Sequence, residues 1–239
     1  MYCVSQRVLL TCHKLFSYCG KNMGVKLYTL DWSPPVRATM MACDIFDVPF
    51  EKIEVNLMKK EHLTPEYLEK NPLHTIPVLE DDDFILFDSH AIMIYLAETY
   101  AKDDSWYPKD IKKRALVNQK LFFDTSILFP RIRAVTYPIM VEGSKIIEQK
   151  KIDAILEAFG FVEEFLSRTT YIAADHITIA DVAALSTMTA LEIIVPVAAE
   201  KFPKTFAWLT KLKEQPYCKK HNEPGATWLS NIIAKCLAS

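Results

Sequence analysis

The stretch that decides the fold runs Asn71-Pro72-Leu73-His74-Thr75-Ile76-Pro77-Val78-Leu79-Glu80-Asp81-Asp82-Asp83-Phe84-Ile85-Leu86-Phe87. Val78 to Glu80 and Phe84 to Phe87 are short apolar runs on either side of an acidic tight turn, Asp81-Asp82-Asp83, the pattern of a β-hairpin. The X-Pro bond just ahead of the first run is a candidate for the cis isomer, which turns the Ile76 N–H and C=O outward instead of into the sheet. A trans proline at a strand entry is the alternative. Outward backbone groups at this point can pair with an extended peptide, as in strand addition.

On the N-terminal side, Val25 to Leu30 reads as a strand, Ser33-Pro34-Pro35 as a turn, and Val36, Met40 and Cys43 as one face of a helix. Ile53, Val55 and Leu57 alternate as a second strand, and Pro65 to Leu68 form a short helix beyond it. On the C-terminal side, Ile92, Tyr95 and Leu96 mark a third helix. The resulting β-α-β-α-β-β-α block of about 75 residues builds a small mixed sheet with helices packed on it. Ala101 to Asp110 is polar, contains Pro108 and reads as a linker, and everything after it is helical. Ile152, Ile155, Leu156, Phe159, Val162, Phe165 and Leu166 make one apolar stripe. Thr178 and Asp181 are spaced as a capping box, with Ile177 stapling onto Val182.

Composition closes off several function classes. The chain has 239 residues, 28 lysines and arginines against 30 aspartates and glutamates, and a formal charge of −2, so no nucleic-acid partner is suggested. Its five glycines, at 20, 24, 143, 160 and 225, include neither the dinucleotide fingerprint nor the P-loop. The six cysteines form no C-x-x-C pair and no zinc-ligand spacing, so no metal and no redox dithiol is expected. No apolar run approaches the roughly 20 residues that span a bilayer, and a secretory signal is not recognised, so reduced thiols and a cytoplasmic location with no membrane partner are the expectation. Residues 1–23 carry Arg7, Lys14, Lys21, no acid and three cysteines. They read either as a dispensable extension upstream of Met23 or as a mitochondrial transit segment.

Four sets of residues can carry chemistry. Ser33 ends the first strand and starts the first helix. It is either a plain N-cap or a hydroxyl that donates to an anion, most usefully a thiolate, beside the positive helix end. Asp88-Ser89-His90-Ala91 opens the third helix, again either as a cap or as a carboxylate pocket. His62 and His74 are surface histidines or ligand contacts. Tyr28 is a rival thiolate donor, within the first strand.

Taken together, Ser33-Pro34-Pro35-x-Arg37-Ala38 and Ser89-His90-Ala91-Ile92 resemble the insect epsilon class of cytosolic glutathione transferases more than its delta sister. The resemblance runs from about Lys26 to the C-terminus. It passes through Asn71-Pro72-x-His74-Thr75-Ile76-Pro77-Val78-Leu79, Tyr107-Pro108-Lys109-Asp110 and Thr178-Ile179-Ala180-Asp181, and leaves residues 1–23 outside. It implies an α/β plus all-α architecture. A thioredoxin-like glutathione-binding domain would cover 24–101, a linker 102–110, and a C-terminal helical bundle holding the hydrophobic acceptor site 111–239.

The resemblance also implies roles. Ser33 would be catalytic, stabilising the glutathione thiolate, while Ile76, before a cis Pro77, would pair with the glutathione cysteine. His62 and His74 would hold the glycyl carboxylate, Ser89 the γ-glutamyl carboxylate and Asp88 the ammonium, with Thr75 and His90 completing the glutathione site. Asp88 stands where the family usually has glutamate, so a bridging water is expected there. The acceptor site would be lined by Pro34, Phe129, Arg133, Thr136, Tyr137, Met140, Trp228 and Leu229, with Phe129 and Met140 equally readable as core. Thr136 stands where a larger aromatic is common, which would open the pocket. The implied function is conjugation of glutathione, as co-substrate, to hydrophobic electrophiles in detoxification, insecticides included. Elimination of chloride or reduction of peroxides by the same thiol would fit as well. The implied assembly is a homodimer. A non-catalytic carrier of hydrophobic ligands is the competing function. Thiol-disulfide exchange is disfavoured because Ser33 stands where a cysteine nucleophile is needed.

Overall fold

A computed structural model describes residues 25–238. The readings of residues 1–23 lie outside that range.

Four strands form one sheet in the order β2-β1-β3-β4. The central strand β1 (Val25–Thr29) buries Val25, Leu27 and Thr29 on one face, the period-2 alternation expected of it. It runs parallel to β2 (Phe50–Glu54), with Leu27 opposite Lys52, and antiparallel to β3 (Val78–Asp81), with Leu27 opposite Leu79. β3 and β4 (Phe84–Phe87) make the expected hairpin, with Asp82 at positive φ in its turn. Helix α1 (Pro34–Ile45) follows β1, α2 (Pro65–Lys70) follows β2, and α3 (Ser89–Tyr100) follows β4.

The second strand lies earlier than its sequence pattern suggests. It ends at Glu54, and Leu57 is already in a turn. β2 is an edge strand with mostly exposed side chains, so it needs no apolar alternation. The pattern came instead from Val55, which is buried with Tyr67 and Val78 just past the strand. Its amide still bonds to the Thr29 carbonyl, at 2.9 Å.

Beyond Asp110 the chain is helical: α4 (Ile111–Phe123), α5 (Phe129–Met140), α6 (Gln149–Leu166), α7 (Ile179–Ile194), α8 (Pro203–Lys213) and α9 (Glu223–Ala238). Two π-helical turns, Asp124–Leu128 and Cys218–Asn222, join α4 to α5 and lead into α9 without breaking the helical path. Helix α7 is the axis of this half, buried at every residue from Ile179 to Leu191. At its start Asp181 Oδ2 accepts from the Thr178 amide, as expected. Its Oδ1 also accepts from the Ile172 amide (3.1 Å) and from Trp208 Nε1 (3.0 Å), so one buried carboxylate ties three segments together. Residues 102–110 hold neither helix nor strand, yet they are anchored: the Trp106 carbonyl accepts from the Ile179 amide and the Tyr107 hydroxyl donates to Asn118. The larger hydrophobic cluster runs through both halves, because α1 packs against α3 on one side and α7 on the other.

Candidate active site

The site forms where β1 gives way to α1. Ser33 occupies the N-cap position with extended backbone (φ −74°, ψ 122°), its carbonyl accepting from the Arg37 amide at 3.0 Å. Pro34 and Pro35 fill the first two helical positions, where a missing N–H costs nothing. The Ser33 hydroxyl makes no capping bond and no other bond among the described residues. The position is a cap by its backbone, while the hydroxyl stands unbonded at the positive end of the helix.

Tyr28 is engaged elsewhere. Its hydroxyl donates to Glu80 Oε2 (3.1 Å), and Glu80 also takes Lys26 and Lys70 at 2.7 and 2.6 Å. Hydrogen bonds from these two lysines hold the Glu80 carboxyl down at about 2.

The Ile76-Pro77 bond is cis. Neither the amide nor the carbonyl of Ile76 bonds within the described residues. The loop ahead of it is held by two residues to which the sequence reading gave no role. The Tyr67 hydroxyl donates to the Thr75 carbonyl (2.7 Å), and Asn71 Nδ2 donates to both the carbonyl and the hydroxyl of Thr75 (2.9 Å each). Asn71 is fully buried, a polar residue spent on shaping a loop, and its place directly before Pro72 was the available signal. His74 sits in this loop at positive φ and His62 in a short 3₁₀ turn (Glu61–Leu63). Their rings are 6.1 Å apart. Burial first, and then the neighbouring His74, hold the His62 imidazole below its ordinary range, and its Nδ1 is buried without a partner among the described residues. Two imidazoles meeting at an orphaned nitrogen suit a carboxylate between them.

At the start of α3, Asp88 is the N-cap at φ 74°, and its Oδ1 accepts from the amides of His90 (2.9 Å) and Ala91 (3.1 Å). The carboxylate is half exposed, leaving Oδ2 for a ligand. Ser89 is buried, with a hydroxyl that makes no bond among the described residues. His90 departs from its expected place in the glutathione site. Its ring points into the helical half, Nε2 lying 2.9 Å from Asp124 Oδ2 and Nδ1 2.9 Å from the Thr125 hydroxyl. Asp124 opens the first π turn, so the extra residue of that turn presents the acceptor. Burial opposes charge on His90, but its bonds to Asp124 and Asp88 outweigh that and raise it to about 9.

The expected acceptor residues separate into groups. Phe129, Arg133, Thr136, Tyr137 and Met140 lie along one side of α5, where Arg133 and Tyr137 are exposed and stacked at 5.0 Å. Phe129 and Met140 pack partly against the core, and the Thr136 hydroxyl donates back to the Ile132 carbonyl. Pro34 and Leu229 are both buried, Leu229 to 2% exposure, and pack at the start of α1 and inside α9. Leu229 and Ile233, four apart on α9, face the bundle, which leaves the adjacent Trp228 outside at 46% exposure. Trp228 lines a cavity of about 210 Å³ with Asp31, Phe50, Lys52 and His221, and no α5 residue lines it.

A free serine hydroxyl at a helix N-terminus, an open backbone pair before a cis proline and a helix-capping acid-serine pair gather at the strand ends of one thioredoxin-like sheet, joined to an all-helical half. Comparison with known proteins makes the class specific. Residues 27–104 match the family model for the glutathione S-transferase N-terminal domain, and residues 110–216 the model for its C-terminal domain. The chain therefore belongs to the glutathione S-transferase family, and it is a transferase acting with glutathione. It is 41% identical over 220 residues to glutathione S-transferase 1 of Manduca sexta, covering 90% of this chain and 100% of that protein. Among solved structures it resembles an epsilon-class glutathione S-transferase from the housefly Musca domestica, with TM-score 0.87, 44% identity, 89% of this chain and 98% of the other. It also resembles a glutathione transferase homologue from Drosophila mojavensis with bound glutathione, with TM-score 0.86, 43% identity, 89% of this chain and 97% of the other. No helix among the described residues is long and apolar enough to cross a membrane, and no group of three metal-ligating side chains occurs among them.

Proposed function

We propose that Ser33 activates the glutathione thiol for attack on hydrophobic electrophiles, and that the chain detoxifies such compounds in the cytoplasm as a homodimer. The observation that carries this reading is the Ser33 hydroxyl, at an N-cap yet making no capping bond. A hydroxyl is far too weak an acid to serve as a base. It acts as a donor to the thiolate, helped by the helix N-terminus. Ile76 pairs with the cysteinyl backbone, and His62 and His74 take the glycyl carboxylate. Ser89 takes the γ-glutamyl carboxylate and Asp88 Oδ2 the ammonium, through a water where the shorter side chain falls short.

With an aryl halide, the thiolate sulfur bonds to the ring carbon and halide leaves with the electron pair, the thiol proton having gone to solvent. The exposed side of α5, with Arg133 and Tyr137, supplies the acceptor surface, and Thr136 leaves room beside it. Chloride elimination and peroxide reduction use the same thiolate, and insecticides fall within this substrate class. Steady-state turnover of a generic aryl halide with glutathione tests the reading. Saturable turnover is expected, whereas tight binding of hydrophobic ligands without turnover would support the carrier reading instead.

A further inference from the structure

Arg37 is fully buried, 0% exposed, at the junction of the two halves. Its Nη1 donates to Asn222 Oδ1 (2.7 Å), to the Asn222 carbonyl (3.2 Å) and to the Thr189 hydroxyl (3.2 Å), and its Nη2 to the Ser186 carbonyl (3.2 Å). Nε has no partner among the described residues. Every acceptor is neutral. An ionised group buried without a counter-charge is costly, and an apolar side chain of similar volume often fills such a place at no loss of stability.

The surrounding charges do not compensate it. On the elements packed against Arg37, Asp31 is paired with Lys52, Asp44 with Lys220, Glu192 with Lys213 and Glu214 with Lys219, Glu223 is exposed at the start of α9, and the buried Asp181 at the start of α7 is taken up by the Thr178 and Ile172 amides and Trp208 Nε1. The Cys218 thiol, whose Sγ accepts from Asn222 Nδ2, is pushed up by burial and stays neutral, and burial likewise holds His221 low. Burial lowers Arg37 itself to about 9, still charged at neutral pH.

This charge is seated against the first turn of α1. The Arg37 amide bonds to the Ser33 carbonyl one turn back, and Ser186, whose carbonyl takes Nη2, donates its hydroxyl to the Pro34 carbonyl (2.5 Å). The stem is wedged beside the β1–α1 loop: a Cβ added at Gly225 would lie 2.6 Å from Arg37 Cδ and 2.1 Å from the Asp31 carbonyl oxygen. The buried guanidinium is thus a second positive charge carried by the first turns of α1, beside the positive end of the helix itself.

We propose that the uncompensated charge of Arg37 acts at a distance to favour the thiolate of glutathione bound at Ser33. The proposal rests on the reading of Ser33 given above. A unit charge roughly 10 Å away, at an effective dielectric constant of about 20, displaces a titration by about one pH unit.

Asn222→Asp tests it, because it keeps the shape and the Nη1 contact while supplying the missing counter-charge. Thr189→Asp does the same from α7. The readouts are the ultraviolet thiolate absorbance of glutathione bound to the full chain and kcat/KM against pH. The expected result is an apparent thiol pKa raised by about half to one unit, so that the thiolate fraction near pH 6 falls about three- to tenfold, with rates converging at high pH. A folded Asn222→Asp or Thr189→Asp protein whose thiol titrates as in the wild type overturns the proposal and leaves the role of Ser33 standing. A wild-type protein that binds glutathione without depressing its thiol pKa overturns the reading of Ser33 and this proposal with it.

Discussion

Replacing Ser33 by alanine separates chemistry from capping. A free thiol with pKa near 8.5 is only about 3% ionised at pH 7, and lowering it by roughly two units multiplies the nucleophile about twenty-fold. A hydrogen bond to a charged group contributes about 1.5 to 3 kcal/mol, which is about one to two pKa units. Ser33→Ala is therefore expected to cut turnover roughly three- to twenty-fold near neutral pH, to move the thiol pKa up in parallel, and to approach wild-type rates above the free-thiol pKa. Glutathione affinity should change little, because the groups proposed to hold the peptide are untouched. Stability should hardly change either. Removing a serine N-cap ordinarily costs about 1 kcal/mol, but this hydroxyl makes no capping bond. Initial rates across pH and urea unfolding measure both quantities. Tyr28→Phe should leave the pH profile alone, since its hydroxyl is held by Glu80 at 3.1 Å. Full turnover together with about a kilocalorie of lost stability in Ser33→Ala, or the kinetic loss appearing in Tyr28→Phe, would refute this role of Ser33.

Other consequences can be checked with the same preparations. His74→Ala should raise the glutathione KM about ten- to a hundred-fold with kcat little changed, as expected for a charge-assisted contact made equally in ground and transition states. Gly225→Ala would drive its Cβ to 2.1 Å from the Asp31 carbonyl, a backbone atom that cannot swing away, and should destabilise by about 1 to 3 kcal/mol in urea unfolding. His90 is raised to about 9 when folded, so its contribution to stability is fully present below about pH 6.5 and is lost as pH rises through 9. Asp124→Asn should flatten that part of the stability profile, and an unchanged slope would show that the pair is not coupled to folding. Asp181→Ala strips the Thr178, Ile172 and Trp208 donors of their shared acceptor and should cost several kcal/mol, as buried donors left unmatched do.

Local chemistry made much of this protein legible in its sequence. Hairpin, capping motif, proline-initiated helix and apolar stripe depend on neighbours within a few residues, and each formed where its residues indicated. So did the polar positions at Ser33, the Ile76-Pro77 loop and Asp88-Ser89, because strand ends and helix starts are themselves local signals. What the sequence left open depended on groups far along the chain. The second strand was misplaced because an edge strand needs no buried alternation and Val55 buries just beyond it. That the Ser33 hydroxyl makes no capping bond, and that the Tyr28 hydroxyl bonds to Glu80 across the sheet, were both invisible in the sequence. His90 looked like a ligand contact because nothing near it in sequence hints at Asp124, 34 residues away. Arg37 was only a letter of a motif until folding closed α7 and the second π turn over it, from as far as 185 residues along the chain, and withheld a counter-charge. Periodicity and caps report on one helix or strand at a time, whereas burial and pairing of charge are properties of the surfaces that only tertiary contact brings together.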